Sequence, residues 1–357
     1  MLGPGAGGGS GFGMRDLDGA LALPAPRMVE TRGLAVNPGA LRMLSYAPQG
    51  LAPKAALVVV LHGCGQRAEA IAADSGWLAL AERWGFAVLA PEQSPLNNAN
   101  GCFNWFRLGD TRRGRGEAAS IAAMVAEAVQ AHALDPGRVF VTGFSAGGAM
   151  AAVMLAAYPD LFAGAGVIAG TPYGLARGVG EALMLMRQPG APDIEALGHL
   201  VRRAAIGVPA QRLRLSIWHG DADGVVDSAN GWGLARQWAA ASGLPPEPRK
   251  TIKTPGRTRS IWGGGGHGAR VELNIVHGLG HGAPLSTLGE TGLGRAAPFM
   301  LEAGVSSTLE LARAWGLERK SAKPGAAQGA SEPRPAGWLA RIGGWAGAVW
   351  RALQGKP

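Results

Sequence analysis

A serine between two glycines joins two stretches of contrasting pattern. Gly143-Phe144-Ser145-Ala146-Gly147 follows the β-branched apolar run 139–141 and precedes the alanine-rich stretch 146–157. A strand, a sharp turn and a helix in this order form the context in which a G-x-S-x-G motif presents a nucleophilic serine. The glycines let helix and strand approach closely, and the helix directs free N–H groups and its positive end toward the serine. We therefore predict that Ser145 is a nucleophile held in a strained turn.

A serine hydroxyl needs a base within hydrogen-bond reach, and that base needs an acidic residue to orient it. For serine turns of this kind the acid comes next along the chain and the histidine comes last. The acids after Ser145 at a predicted strand end are Asp221, Asp223 and Asp227. We favour Asp223, because it follows the strand closely and precedes two valines that can anchor its loop. Asp221 and Asp227 stay open as alternatives, although a turn-forming role fits both.

Three histidines near the end of the predicted fold are candidates for the base: His267, His277 and His281. His281 lies in a glycine-rich loop beyond the last predicted strand, 271–276, and such a loop can bring it over Ser145. His277 lies nearer the strand, which also fits a packed histidine. His267 follows four glycines, which also fits a hairpin turn. We predict His281 as the base.

A tetrahedral oxyanion needs two hydrogen-bond donors. One is expected from the backbone N–H of Ala146, next after the nucleophile, and the other from the loop after an earlier strand. The turn His62-Gly63-Cys64-Gly65 follows the apolar run 57–61, and we predict the Cys64 N–H as the second donor. Each donor of this kind contributes about 3 kcal/mol to transition-state stabilisation.

The composition is that of a globular protein with a basic surface. The chain has 357 residues, of which 47% are hydrophobic and 17% charged, and its net charge is +9. Arginines are scattered and no basic run alternates with aromatics, so we expect a solvated surface and no nucleic-acid partner. No apolar run approaches the roughly 20 residues of a membrane helix, so we expect no transmembrane segment. No cluster has metal-ligand spacing and no loop matches a nucleotide fingerprint, so we expect no metal and no cofactor.

The two cysteines, Cys64 and Cys102, leave two possibilities open. They could form a disulfide, or they could remain thiols in a reducing cytosol. The first 14 residues are glycine-rich and lack the charged start and apolar region of a secretory signal. On this ground we expect a cytoplasmic protein.

Strand-like and helix-like stretches alternate, which predicts an α/β fold: a mostly parallel sheet flanked by helices. Candidate residues follow strands, at the edge of a parallel sheet where ligands bind. We predict a disordered leader over 1–33, a catalytic domain over 34–320 and a linker with a tryptophan-rich tail over 321–357. The alternation breaks over 171–211, which predicts a small cap. The predicted strands span 40–46, 57–61, 86–90 (ended by Pro91), 139–141, 162–169, 213–218, 250–253 and 271–276.

Short motifs follow one another over residues 40–282. They are Leu61-His62-Gly63-Cys64-Gly65-Gln66, Gly76-Trp77, Gly85-Phe86-Ala87-Val88, Pro91-Glu92-Gln93, Cys102-Phe103-Asn104-Trp105-Phe106, Arg113-Gly114-Arg115-Gly116-Glu117 and Gly143-Phe144-Ser145-Ala146-Gly147-Gly148. In this order they resemble the PHB depolymerase family of esterases, which are α/β-hydrolases related to feruloyl and acetylxylan esterases. Trp218-His219-Gly220-Asp221-Ala222-Asp223 and Val276-His277-Gly278-Leu279-Gly280-His281 match the places of that family's acid and base.

The resemblance implies an α/β-hydrolase fold and assigns the same site by position. Its nucleophile, orienting acid, base and two oxyanion donors fall on Ser145, Asp223, His281, Cys64 and Ala146. Family members usually follow the histidine with a small residue, Trp and Gly, whereas this chain has Gly282-Ala283-Pro284. Related enzymes are often secreted, so an extracellular location is the alternative to the cytoplasm.

The resemblance also implies contacts to substrate from Gln66, Trp105 and Phe106. In the absence of the usual aromatic after the histidine, Trp105 and Phe106 are expected to carry most of the apolar surface for an acyl chain. The same two rings would equally suit the protein core. Both alternatives remain open from the sequence.

The expected activity is that of a serine carboxylesterase that hydrolyses hydroxyalkanoate-type esters or polyesters through an acyl-enzyme on Ser145. A feruloyl or acetylxylan esterase is the alternative within the same chemistry. A catalytically silent module that binds a polymer or membrane surface is the alternative from another class. Trp338, Trp345 and Trp350 lie in a tail with apolar residues at helical spacing, which fits a helix on such a surface or one docked on the domain.

Overall fold

The computed structural model describes residues 26–318 except 191–192, 206–213, 265–269 and 290. In these residues ten strands form one sheet, in the order β1-β2-β4-β3-β5-β6-β7-β10-β9-β8. The six central strands, β4-β3-β5-β6-β7-β10 in spatial order, run parallel. Two antiparallel strands extend the sheet at each edge. The strands of the sheet are β1 (Val29–Thr31), β2 (Arg42–Tyr46), β3 (Leu57–Leu61), β4 (Ala87–Glu92), β5 (Val139–Phe144), β6 (Gly164–Ile168), β7 (Arg214–Gly220), β8 (Lys250–Thr254), β9 (Arg257–Gly263) and β10 (Arg270–Val276).

Helices cover both faces of this sheet. Strand β3 is buried throughout, and its side chains alternate between two cores: Leu57, Val59 and Leu61 on one face, Val58 and Val60 on the other. Two-sided burial accounts for the continuous apolar runs of the central strands. The helices are α1 (Ala68–Asp74), α2 (Trp77–Trp84), α3 (Gly116–Ala131), α4 (Ala146–Ala157), α5 (Val179–Arg187), α6 (Ile194–Ala204), α7 (Ala229–Ala241) and α8 (Ser307–Ala314). The observed architecture confirms the predicted α/β fold with its mostly parallel sheet.

Two predictions near the amino-terminal edge were wrong. The leader was predicted to run to residue 33, but Val29–Thr31 pairs with β2, with Glu30 opposite Leu44. The strand predicted to stop at Pro91 continues to Glu92. Strand β4 pairs with β3 only as far as Leu89, so the missing N–H of Pro91 removes no bond on that side. Residues 1–25 lie outside the described part of the chain.

The segment predicted as a cap contributes two helices to the described residues, α5 and α6. Hydrogen bonds connect it to α7: the Gln237 side chain bonds both the N–H and the carbonyl oxygen of Tyr173, at 2.8 and 2.9 Å. The Asp227 N–H donates to the Met186 carbonyl at 2.7 Å, which joins the end of α5 to the loop after β7. The segment therefore packs beside the loop that carries the predicted acid.

After β10 the chain forms a separate two-stranded parallel sheet, β11 (Ala283–Leu285) and β12 (Met300–Glu302). Helix α8 then closes the described chain. Of the described helices, none is both long and apolar enough to cross a membrane. The tail predicted over 321–357 lies outside the described residues.

Candidate active site

Ser145 lies at the turn between β5 and α4 in a backbone conformation that ordinary residues avoid. Its φ is 56° and its ψ is −119°, and its N–H donates to the Ile168 carbonyl at 2.8 Å. A Cβ on Gly143 would lie 2.2 Å from the Gly147 carbonyl oxygen, and one on Gly147 would lie 2.2 Å from the Leu61 carbonyl oxygen. The two glycines therefore let α4 approach β5 and β3 closely, and this contact holds the serine in its strained turn.

The structure brings the three residues favoured by the sequence into one chain of hydrogen bonds. The His281 Nε2 lies 3.0 Å from the Ser145 Oγ, and the His281 Nδ1 lies 2.8 Å from the Asp223 Oδ2. A carboxylate can only accept, so Nδ1 carries the proton and Nε2 is free to accept from the serine hydroxyl. The side chain of His281 is 9% exposed and that of Asp223 is fully buried. Strands β5, β7 and β10 deliver the three residues from their carboxyl ends to one edge of the sheet.

Asp223 is held as an anion by the groups around it. Its Oδ1 accepts from the N–H groups of Val225 and Val226, both at 2.9 Å. Burial raises the pKa of this carboxyl, but the imidazoles of His219 and His281 and the Val226 N–H outweigh it, so the pKa lies well below its usual range. The Val226 side chain is buried and anchors the loop as predicted, whereas Val225 is exposed.

The other candidates for acid and base lie in different settings. Asp221 and His277 form an exposed pair of their own, with Oδ2 and Nδ1 2.8 Å apart. Asp227 accepts from the Ala229 N–H at 2.8 Å, the turn-forming role left open for it. His267 lies outside the described residues.

His219 is a buried neighbour of the acid that sequence reasoning passed over. It lies 3.5 Å from the Asp223 Oδ2, and its Nε2–H donates to the Val226 carbonyl at 2.8 Å. The imidazole thus closes the loop that carries the acid. Its place between Trp218 and Gly220, at the end of β7, is the signal that could have pointed to it.

Both predicted oxyanion donors lie beside the serine turn. Ala146 is the first residue of α4, so its N–H has no partner within the helix. A Cβ on Gly147 would meet the carbonyl oxygens of Leu61 and His62, so α4 begins against the end of β3 where the Cys64 turn starts. The Gly63 N–H donates to the Gln66 Oε1 at 2.8 Å and closes that turn. Gln66 therefore shapes the turn through this oxygen.

A disulfide joins the Cys64 turn to the long loop between β4 and α3. Cys64 and Cys102 are bonded, and Cys64 is exposed. The Gln93 N–H donates to the His62 Nε2 at 3.0 Å, which connects the same turn to the start of the loop. Burial lowers the pKa of His62, so its imidazole is neutral and Nε2 can accept. The predicted second donor is thus held by covalent and hydrogen bonds to one loop.

The buried side chain of Glu117, at the start of α3, holds this loop in place by hydrogen bonds. Its carboxylate accepts from the Gln93 Nε2 at 2.5 Å, from the Asn104 N–H at 2.8 Å and from the Asn104 Nδ2 at 2.6 Å. Burial raises the pKa of Glu117 to about 7 against these hydrogen bonds. The sequence contained Glu117 in a motif, but nothing in its spacing indicated that Gln93 and Asn104 converge on it.

The structure shows the core alternative for Trp105 and Phe106, while a contact of either ring with an acyl chain stays a prediction. Trp105 is 8% exposed and Phe106 is 7% exposed, and both belong to the main core. The hydrogen bonds of the adjacent Asn104 to buried Glu117 draw this part of the loop into the protein. The rings that contact His281 are instead Phe144 and Phe299.

Comparison with known proteins places this site in a family of esterases. A poly(3-hydroxyalkanoate) depolymerase C of Paucimonas lemoignei is 40% identical over 253 residues, which are 71% of this chain and 61% of that protein. A feruloyl esterase B of Talaromyces funiculosus is 30% identical over 250 residues, 68% of this chain and 70% of that protein. The solved acetyl xylan esterase from Aspergillus awamori superposes with a TM-score of 0.65 and 28% identity, over 71% of this chain and 94% of that one.

This chain therefore spans 61% of the length of the depolymerase that it matches. Its likeness to the solved esterase confirms the α/β-hydrolase fold that the motifs implied. The profile of the esterase PHB depolymerase family matches residues 41–252, which is more than half of the chain. The chain belongs to the esterase PHB depolymerase family.

Proposed function

We propose that this protein is a serine carboxylesterase that works through an acyl-enzyme on Ser145. The observation that carries the proposal is the chain of hydrogen bonds from Asp223 through His281 to the Ser145 Oγ. In this arrangement a hydroxyl becomes a nucleophile because a base takes its proton during attack. The same intact chain of bonds speaks against a catalytically silent surface-binding module.

The geometry assigns a role to each group in the reaction. The Ser145 Oγ attacks the ester carbonyl while the His281 Nε2 takes its proton, and Asp223 stabilises the imidazolium through the Nδ1–H. The N–H groups of Ala146 and Cys64 donate to the oxyanion that forms. His281 returns the proton to the leaving alcohol, and the Ser145 acyl ester remains. Water, deprotonated by His281, then attacks this ester, and His281 returns that proton to the Ser145 Oγ as the acyl–oxygen bond breaks, which releases the acid and free Ser145.

We propose hydroxyalkanoate-type esters as the substrates, so that hydrolysis releases a 3-hydroxy acid. The proposal is supported by the depolymerase, which shares 40% identity with this chain, compared with 30% for the feruloyl esterase. Feruloyl or acetylxylan ester hydrolysis is the second candidate, and the structural likeness to the acetyl xylan esterase favours it.

A hydrolysis panel tests this assignment. Wild-type protein is assayed with hydroxybutyrate oligomers, methyl ferulate, acetylated xylo-oligosaccharides and a nitrophenyl butyrate. We expect hydroxybutyrate oligomers to give the highest kcat/KM among the natural ester types, and Ser145→Ala to abolish hydrolysis of all of them. Preference for ferulate or acetylxylan would overturn the substrate assignment, and full activity of Ser145→Ala would overturn the mechanism.

We propose an extracellular or other oxidising location in place of the cytoplasm expected from the sequence. The support is the Cys64–Cys102 disulfide, because such bonds form and persist in oxidising compartments. Alkylation of the protein from its native cells under non-reducing conditions tests this. Two alkylated cysteines per chain would contradict the proposal, and alkylation only after reduction is the expected result.

From the sequence pattern alone we also propose that Trp338, Trp345 and Trp350 attach the protein to a polymer or lipid surface. Sedimentation with polyhydroxybutyrate granules and with lipid vesicles tests this, with the full chain compared with a chain ending at residue 320. Equal sedimentation of both chains would contradict the proposal.

A further inference from the structure

Phe299 has a backbone conformation that a bulky side chain rarely adopts. Its φ is +66°, in the left-handed region that favours glycine. Hydrogen bonds on both sides of it impose this conformation. The Ala283 N–H donates to the Phe299 carbonyl at 2.8 Å, and the Met300 N–H donates to the Ala297 carbonyl at 2.9 Å. The tight turn before β12 thus fixes where the Phe299 side chain begins.

The strained turn presents the Phe299 ring to the candidate base. The ring centroid lies 6.0 Å from that of His281, nearly edge to face at 74°. It lies 5.9 Å from the ring of Phe144, which is itself 4.8 Å from His281. Aromatic pairs favour such separations and tilts. Phe299 therefore flanks His281 together with Phe144.

The two flanking rings differ in their access to solvent. Phe144 is 2% exposed, whereas Phe299 is 43% exposed. Among the exposed large apolar side chains of the described residues, Phe299 is the only aromatic one. An exposed ring in a strained turn gains little from burial, and strain of this kind concentrates where a ligand binds. Phe299 thus has a free apolar surface beside the reacting groups.

The chemistry of the reaction determines which part of the substrate would meet this surface. His281 delivers its proton to the oxygen of the leaving alcohol, so that oxygen must come within hydrogen-bond reach of Nε2. The carbon chain of the alcohol begins at the next bond. The carbonyl oxygen instead faces the N–H groups of Ala146 and Cys64. A side chain that flanks His281 therefore adjoins the alcohol part of the ester.

We propose that Phe299 is a specificity-determining residue that forms an apolar wall for the alcohol portion of the substrate. The inference rests on the proposed esterase function and deepens it. It predicts a preference for esters whose alcohol is apolar over those whose alcohol is small or strongly hydrated. In a hydroxyalkanoate oligomer the alcohol portion is the next hydroxyacyl unit, whose methyl-bearing carbon would contact the ring.

Two series of esters separate the alcohol from the acyl portion. The first holds the acyl group constant as methyl, butyl and octyl butyrate, and the second holds the alcohol constant as ethyl acetate, butyrate and octanoate. We expect Phe299→Ala to lower the octyl-to-methyl ratio of kcat/KM by about 10-fold, the scale on which one apolar contact discriminates substrates. The octanoate-to-acetate ratio should stay constant. Phe299→Leu should keep most of the octyl preference, because it keeps apolar bulk.

The rate of deacylation gives a second test. A Phe299 that only positions the catalytic groups would affect this rate, whereas a wall for the alcohol would not. All butyrates form the same acyl-enzyme, and the alcohol has left before water attacks it. Single-turnover deacylation of butyryl-enzyme should therefore be the same in Phe299→Ala and wild type. An equal loss on both ester series, or slowed deacylation, would overturn the proposal in favour of a general positioning role.

Controls keep folding and the proposed function apart from this inference. Phe299→Gly suits a φ of +66° and provides a folded variant without the ring if Phe299→Ala unfolds. Leu288→Ala removes another exposed apolar side chain and should leave both ratios unchanged. If wild type hydrolyses no ester, the proposed function fails. If wild type is active but the octyl preference survives removal of the ring, this inference alone is overturned.

Discussion

His277 hydrogen-bonds Asp221 through Nδ1 at 2.8 Å, the same distance that joins His281 to Asp223. The two pairs lie at the ends of the same strands, β7 and β10, yet their surroundings differ. The side chains of His277 and Asp221 are 45% and 40% exposed, and the His277 Nε2 bonds the Thr258 Oγ1 at 3.0 Å. The hydrogen bond from His277 lowers the pKa of Asp221, so both acids are anions. The His281–Asp223 pair differs in two ways: it is buried, and the His281 Nε2 faces the Ser145 Oγ.

The two aspartates give a matched test of that distinction. Asp223→Asn should lower kcat by about 10,000-fold, because an amide in this place favours the wrong tautomer of the histidine. Asp221→Asn should keep kcat within about twofold, because this exposed pair contacts none of the three residues at the site and exposed pairs contribute little. Ester hydrolysis by both purified variants checks this. Comparable losses in the two variants would contradict the assignment of the acid.

Removing the disulfide should affect both stability and catalysis. The bond closes a loop with a sequence separation of 38, so Cys64→Ala/Cys102→Ala should lower the free energy of unfolding by about 4 kcal/mol. The variant keeps the backbone N–H of residue 64 but frees its turn. We therefore expect kcat to fall by up to about 100-fold, the loss typical of one oxyanion donor, with KM changed less.

Chemical denaturation and steady-state kinetics of the double alanine variant measure the two effects. Asn98→Ala, a substitution in the same loop that leaves the disulfide intact, serves as the comparison. A variant with wild-type stability and wild-type kcat would show that the bond supports neither the fold nor the donor turn.

Buried Glu117 should make stability fall as pH rises. Its pKa is raised from 4.5 to about 7, so between these values the folded state binds a proton that the unfolded state has lost. This contribution to stability is complete below pH 4.5 and is lost as pH rises toward 7, by about 3 kcal/mol for a shift of this size. Glu117→Gln cannot titrate and should lack this slope. Urea denaturation of both proteins at several pH values measures it, and parallel pH profiles would refute the prediction.

The sequence predicted that Ser145, Asp223 and His281 come together because each of them follows a strongly patterned strand. Ser145, Asp223 and His281 come after β5, β7 and β10, and parallel strands bring their carboxyl ends to one edge. The order of the motifs then selected among several aspartates and histidines. Burial of Asp223 beside His219 was not predictable, because it depends on how one loop folds back on itself.

The sequence pattern did not predict elements whose apolar residues lack a regular spacing. Strand β9 contains Arg257, Arg259 and Ser260, and its pairing with β10 overrides that polar composition. The exposed helix α5 has only Ala182 and Leu185 buried, too few to show a helical stripe. Phe299 could not be connected with His281, because their contact depends on the pairing of β11 with β12.

The most direct test of the central claim is covalent labelling of Ser145 with a fluorophosphonate, located by peptide mass spectrometry. His281→Ala and His277→Ala provide a matched pair, since each removes a histidine bonded to an aspartate. We predict labelling at Ser145 in wild type and in His277→Ala at equal rates, and labelling slowed by more than about 1,000-fold in His281→Ala. Labelling at another residue, or equal rates in all three proteins, would contradict the claim that His281 activates Ser145.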